Sequence, residues 1–257
     1  MSFLAITESS HNLFFPILTF LAVAGLALVH LFAGKLRFLE VIPRSRWLSV
    51  AGGASVAYIF VHVLPELSEG QKTFEEVPLL ALDFLEHHVY LVSLLGLVIF
   101  YGLEKLAHSS RKQNQATGEG DTTDPGIFWV HIGSFTLYNG LIGYLLVHRE
   151  EQGSWSLLIF SLAMALHFLV NDSGLREHHK SQYKDIGRWL LAGGVVLGWT
   201  IGSVTKISEA AIAVLFAFVA GGVVLNAIKE ELPEERQSNF WAFFLGAIVY
   251  TILLLAE

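Results

Sequence analysis

Residues 12–34 read NLFFPILTFLAVAGLALVHLFAG, and Lys35 and Arg37 follow at once. As a helix this stretch rises roughly 34 Å at about 1.5 Å per residue, enough to cross a hydrocarbon core roughly 30 Å thick. The first ten residues carry no Lys or Arg, and the basic residues come after the run. A cleaved export signal has the reverse order, so the run reads as a retained span. Seven more apolar runs follow at 47–66, 85–106, 127–147, 155–173, 187–204, 208–229 and 239–256. The expected fold is an all-α membrane protein, a single domain over 1–257 built as a bundle of eight transmembrane helices.

Charge orients those runs. Thirteen of the 16 Lys and Arg residues fall after spans one, three, five and seven, leaving Lys72, Arg149 and Lys206 for the other side. Basic residues in short loops stay cytoplasmic, so both termini are expected outside. Composition agrees, because 53% hydrophobic against 15% charged residues leaves too little polar surface to solvate a globule. The chain lacks cysteine, so a metal site would be built from imidazole and oxygen, favouring zinc, manganese or ferrous iron over Cu(I). The net charge of −7, without a basic patch interleaved with aromatics, gives no reason to expect a nucleic-acid partner. The partners expected are the lipid bilayer and a divalent cation. The compact chain, free of other targeting signals, suits a multi-pass protein of a bacterial inner (plasma) membrane.

Segment 109–126, rich in Gln, Asn, Thr, Gly and Asp, reads as a mobile cytoplasmic loop after span three. Gly52-Gly53 precedes Leu64-Pro65-Glu66, and Gly221-Gly222 precedes Leu232-Pro233-Glu234; aligned on the Leu-Pro-Glu, the two stretches differ by 168 residues and Gly53 falls on Gly221. Spans two and seven run in opposite directions, so the likeness suggests inverted-repeat character. Gly pairs are also common where membrane helices pack closely.

Ionisable side chains inside a bilayer are costly and mark candidate sites. Span four carries His131 and Asn139; span five carries His167, Asn171 and Asp172. His131, His167 and Asn171 fall within about 10 Å of the midplane on the cytoplasmic side, by helical rise. They are therefore expected to face one another. His167, Asn171, Gly174 and His178 recur at i, i+4, i+7 and i+11, one continuous helix face. His62 with Glu66 and Asp83 with His87, each i, i+4, form an outer capture site in this reading, with Glu69, Glu86 and His88 nearby. His178, Glu230 and Glu234 form an inner release site. Each residue also has a structural reading, since buried His and Asn commonly bridge helices and interfacial carboxylates are commonly just hydrated. His30, alone in span one, reads as structural.

Eight spans, outside termini, a polar loop after span three and polar signals on spans four and five together resemble the ZIP family of divalent-metal transporters. AYIFVHVLPE (57–66) looks like that family's second span and FVAGGVVLNAIKEELPE (218–234) like its seventh. The family's His-Asn-x-x-Asp-Gly of span four corresponds to FTLYNG (135–140), and its His-Glu-x-Pro-His-Glu of span five to HFLVND (167–172). His167 matches by identity. Asn139 and Asn171 stand for Asp and His, Asp172 stands for Glu, and Phe135 and Phe168 occupy ligand positions. His131 lies one turn below Phe135 and could supply the missing imidazole.

The resemblance implies a transporter that moves a divalent cation toward the cytoplasm, with His167, Asp172, Asn171, His131 and Asn139 as its metal site. It also implies a homodimer, no required cofactor and no enzymatic activity. The competing reading is a non-transporting relative serving as metal sensor, regulator or assembly partner. No His-Glu-x-x-His occurs, nor any pair of His four residues apart, as a helix-borne zinc hydrolase site would use.

Overall fold

A computed structural model describes residues 2–35, 46–75, 88–149, 153–231 and 239–256, and all regular structure among them is helical. In chain order the helices are α1 (Ser2–Phe32), α2 (Arg46–Tyr58), α3 (Leu64–Glu75), α4 (His88–Thr117), α5 (Pro125–Leu145), α6 (Ser154–Gln182), α7 (Arg188–Val204), α8 (Glu209–Glu231) and α9 (Phe240–Leu255). A 3-10 turn, Ala33–Lys35, extends α1. π-helical turns at Ile59–Val63 and Tyr183–Gly187 join α2 to α3 and α6 to α7.

Five helical stretches among the described residues are long and apolar enough to cross a membrane: Phe15–Lys35, Ser49–Thr73, Val89–Thr117, Ser154–Val204 and Glu209–Lys229. The fourth contains α6 and α7, hence two of the expected runs. Leu21, Leu95, Leu197, Trp241 and Leu255 are among the many large apolar side chains on the surface. Apolar surface on that scale suits lipid rather than water, as in a multi-pass membrane protein.

Local chemistry places several boundaries. Pro125 opens α5 at its first turn after an extended Asp124, where a missing N–H has no helical acceptor to fail. Asn239 caps α9 by accepting from the Ala242 amide at 2.9 Å. Pro65 has no N–H to give to the preceding turn, and the helix widens into a π turn just before it. α6 is kinked at Lys180, which has φ 46° and ψ −113°.

Glycines set the closest packing. The contacts of α2 with α9, α4 with α8 and α5 with α7 are the most extensive between helices. A Cβ on Gly53 would strike the Phe243 carbonyl, and one on Gly246 the Val50 carbonyl; one on Gly221 would strike the Ser93 carbonyl, and one on Gly96 the Phe218 carbonyl. Gly221 lies 168 residues beyond Gly53, as Phe218 does beyond Val50, while Gly246 and Phe243 each lie 150 residues beyond Gly96 and Ser93. The α2/α9 and α4/α8 contacts are therefore copies of one arrangement, reaching past the Gly pairs visible in the sequence. The second Leu-Pro-Glu, 232–234, lies outside the described residues. Between α5 and α7, Thr136 meets Gly194, Gly140 meets Gly198 and Tyr144 meets Gly202, so these helices run parallel. Small residues let backbones approach closely where lipid offers no hydrophobic drive.

The segment expected as a mobile loop, 109–126, is instead helical through Thr117, and its remainder is clasped. Asn114 donates to the Thr122 carbonyl at 2.9 Å and to the Asp124 carboxylate at 3.1 Å. Arg111 donates to Asp121 at 2.6 Å and to Glu177 of α6 at 3.1 Å, and Lys180 pairs with Asp121 at 3.2 Å. The Arg111 hydrogen bond, helped by Lys180 and Gln115, holds the Asp121 carboxyl well below the usual carboxylate range. The polar composition that suggested mobility supplies the clasp.

Candidate functional site

The interior of the bundle holds polar side chains in three connected groups. In the first, His30 of α1 lies between Asp172 of α6 and Asn139 of α5. Its Nδ1 is 2.9 Å and 3.1 Å from the two Asp172 oxygens, and its Nε2 is 3.0 Å from Asn139 Oδ1. The Asn139 amide donates to the Phe135 carbonyl at 2.7 Å, which turns its Oδ1 toward His30. Both imidazole nitrogens thus face acceptors, an arrangement that a doubly protonated ring satisfies. His30 and Asp172 side chains are both 0% exposed. His30, expected to stand alone as a structural residue, is not alone: it joins α1 to α5 and α6. A single-span view had no means of pairing it with residues 109 and 142 positions away.

The second group surrounds His167. Tyr138 donates to the Val219 carbonyl at 3.2 Å and lies 3.1 Å from His167 Nε2, which donates to the phenol oxygen. His167 Nδ1 then keeps its lone pair toward the Asn226 amide, 3.5 Å away. Beside it a cavity of about 10 Å³ is lined by His167, Asn226, Phe135, Glu104 and Lys229, among others. That volume holds about one water.

The third group begins at the far wall of this cavity. Glu104 of α4 accepts from Lys229 at 2.9 Å and pairs with His178 at 2.7 Å; His131 Nε2 lies 3.8 Å from its other oxygen. His131 Nδ1 is 2.9 Å from His179 Nε2, and His179 Nδ1 is 2.7 Å from Thr123 Oγ1. A polar chain therefore extends from Thr123, in the clasped connection, through two imidazoles toward Glu104.

The five residues expected to form one metal site are thus divided. Asn139 and Asp172 meet at His30, His167 has Tyr138 and Asn226, and His131 has His179. Phe135 packs on His131 and on Tyr138, with ring centres 5.1 Å and 6.1 Å apart. Phe168 lies against His30 at 4.3 Å and His167 at 6.1 Å. Asn171 is buried, and its Nδ2 has no hydrogen-bond partner. Among the described residues no three His, Asp or Glu converge to hold a metal ion. The predicted helix face does exist: His167, Asn171, Gly174 and His178 are all buried along α6.

Of the outer capture residues, His62 and Glu66 pair at 3.1 Å across the π turn and the start of α3. Asp83 and His87 lie outside the described residues, as does Glu234 of the inner site. Glu230 falls within α8 near its end, and His178 is taken up by Glu104. Glu104, Lys229, His179, Tyr138 and Asn226 were missed. Glu104 had a readable signal, a carboxylate inside the apolar run 85–106, and His179 adjoins His178. Comparison with protein-family models, with curated proteins and with solved structures returned no match.

Proposed function

We propose that this chain is a ZIP-like carrier that moves a divalent cation toward the cytoplasm. Its eight spans would have both termini outside, with two halves related by an inverted repeat and assembly as a homodimer in a bacterial inner membrane. The observation that supports transport is the succession of buried imidazole, carboxylate and amide groups from His167 across the small cavity to Glu104, His178, His131 and His179. Burying so many polar groups at membrane depth is costly, which marks them as functional candidates. The duplicated glycine contacts of α2/α9 and α4/α8 are the kind of paired scaffold on which two halves rock in repeat-built carriers. In this reading His62 and Glu66 receive the ion outside. His167 Nδ1 and Glu104 then replace part of its hydration shell, and the Lys229 ammonium leaves Glu104 as the ion arrives.

One observation favours a non-transporting sensor or regulator instead. Lys229 already neutralises Glu104, and the described residues offer no ready three-ligand site. Uptake of zinc, manganese, ferrous iron and cadmium into proteoliposomes separates the two readings. Saturable uptake lost in His167→Ala and Glu104→Gln supports the carrier. No flux of any of the four ions, from protein that melts cooperatively, overturns it in favour of the second reading.

A further inference from the structure

On the other side of α6 from Glu104 lies an open cleft of about 670 Å³ between the end of α1, the inner part of α6 and the start of α7. Lys35, Arg176, Lys180, Lys184 and Arg188 line it, with buried His30 at its base and Glu177 as its carboxylate. Glu177 is engaged by Arg111 at 3.1 Å and Lys180 by Asp121 at 3.2 Å, and basic side chains outnumber carboxylates among the residues that line the cleft. Arg188 gives one guanidinium N–H to the Leu31 carbonyl at 3.4 Å, while its Nε is buried without a hydrogen-bond partner. A cation leaving the interior would be repelled here, whereas an anion would meet donors from three elements at once.

We propose that this cleft binds a phosphate-bearing anion. Two guanidinium groups, Arg176 and Arg188, would provide forked donors that match phosphate oxygens, and Lys35 and Lys184 at the rim would add charge. The charge distribution puts the cleft at the cytoplasmic face, where anionic lipid headgroups gather and where basic pockets between membrane helices hold them. A free phosphate from the cytoplasm offers the same chemistry. The abundance of Lys and Arg at cytoplasmic helix ends explains positive charge in general. It does not explain a concave site with a buried, unpartnered guanidinium N–H. The proposal stands whether or not the chain carries a cation.

The test is native mass spectrometry of the purified full chain, with lipid retention compared between phosphatidylglycerol and phosphatidylcholine, and with inorganic phosphate titrated separately. Arg176→Gln/Arg188→Gln should weaken retention of the anionic ligand about thirtyfold, as expected for two lost Lys or Arg contacts. Lys105→Gln/Lys112→Gln, which removes two charges expected on the same face but outside the cleft, should leave it unchanged. Lys35→Gln/Lys184→Gln, at exposed positions, tests the cleft again should the arginine variant fold poorly. Selective loss with phosphatidylglycerol identifies a lipid headgroup, and selective loss with inorganic phosphate alone identifies a soluble ligand. Equal loss in cleft and control variants, or no preference of the wild type for either anion over phosphatidylcholine, overturns the proposal.

Discussion

The His30–Asp172 pair offers a measurement in which magnitude decides the chemistry. Both side chains are 0% exposed, and the imidazole Nδ1 is 2.9 Å from the nearer carboxylate oxygen. If the ring is doubly protonated, which would satisfy both of its acceptors, His30→Ala leaves a buried carboxylate without its counter-ion. Breaking a buried pair in that way costs about 3–5 kcal/mol, corresponding to a melting temperature lower by roughly 6–20 °C at about 2–4 °C per kcal/mol. Asp172→Asn should cost a similar amount, because it strands a cation. The double variant His30→Ala/Asp172→Asn removes both charges and should cost less than the sum of the singles, by about 2–3 kcal/mol. A neutral hydrogen bond between membrane helices couples by only about 0.6 kcal/mol on average, so the two states are distinguishable. The assay is thermal unfolding of detergent-solubilised protein, followed by circular dichroism for the four members of the cycle. Additive effects, or a coupling near the neutral value, would refute the ion pair.

Two further outcomes follow from backbone geometry. Gly198→Ala drives a methyl group into the Gly140 backbone across the α5/α7 contact, whereas a Cβ at Gly193 has nothing within 4 Å. Melting should show Gly198→Ala destabilised by about 1–3 kcal/mol or more through overpacking, with Gly193→Ala within about 0.5 kcal/mol of wild type. Lys180 holds φ at 46°, a region that disfavours a Cβ by about 1–2 kcal/mol. Lys180→Gly should therefore exceed Lys180→Ala in stability by about 1 kcal/mol once glycine's greater unfolded-state freedom is subtracted. Both variants lose the exposed Asp121 pair alike, so equal stability would mean that the turn is unstrained.

The sequence by itself determined that this is a helical protein suited to a bilayer, because its repeated apolar runs of about 20 residues with few charges match the length that crosses a hydrocarbon core. It also showed the buried face of α6, since the i, i+4, i+7 recurrence is a property of one helix. The Gly53 and Gly221 match was likewise visible along the chain, although its partners Phe243 and Ser93 were not. Only the tertiary structure decided how the polar residues divide. His30 finds Asp172 because α1 packs beside α6, and its other ring nitrogen reaches Asn139 of α5. Glu104 takes Lys229 because α4 and α8 run side by side, and the two imidazoles that depth along their helices had placed together find separate partners, His179 for His131 and Tyr138 for His167. The clasp that replaced a supposed loop, and the basic cleft beside α6, likewise join residues from separate helices. Helical periodicity gives the depth and facing of a side chain. It does not give the neighbouring helix, which close packing across glycine seams selects, and in a low-dielectric interior the neighbour fixes what a polar group does.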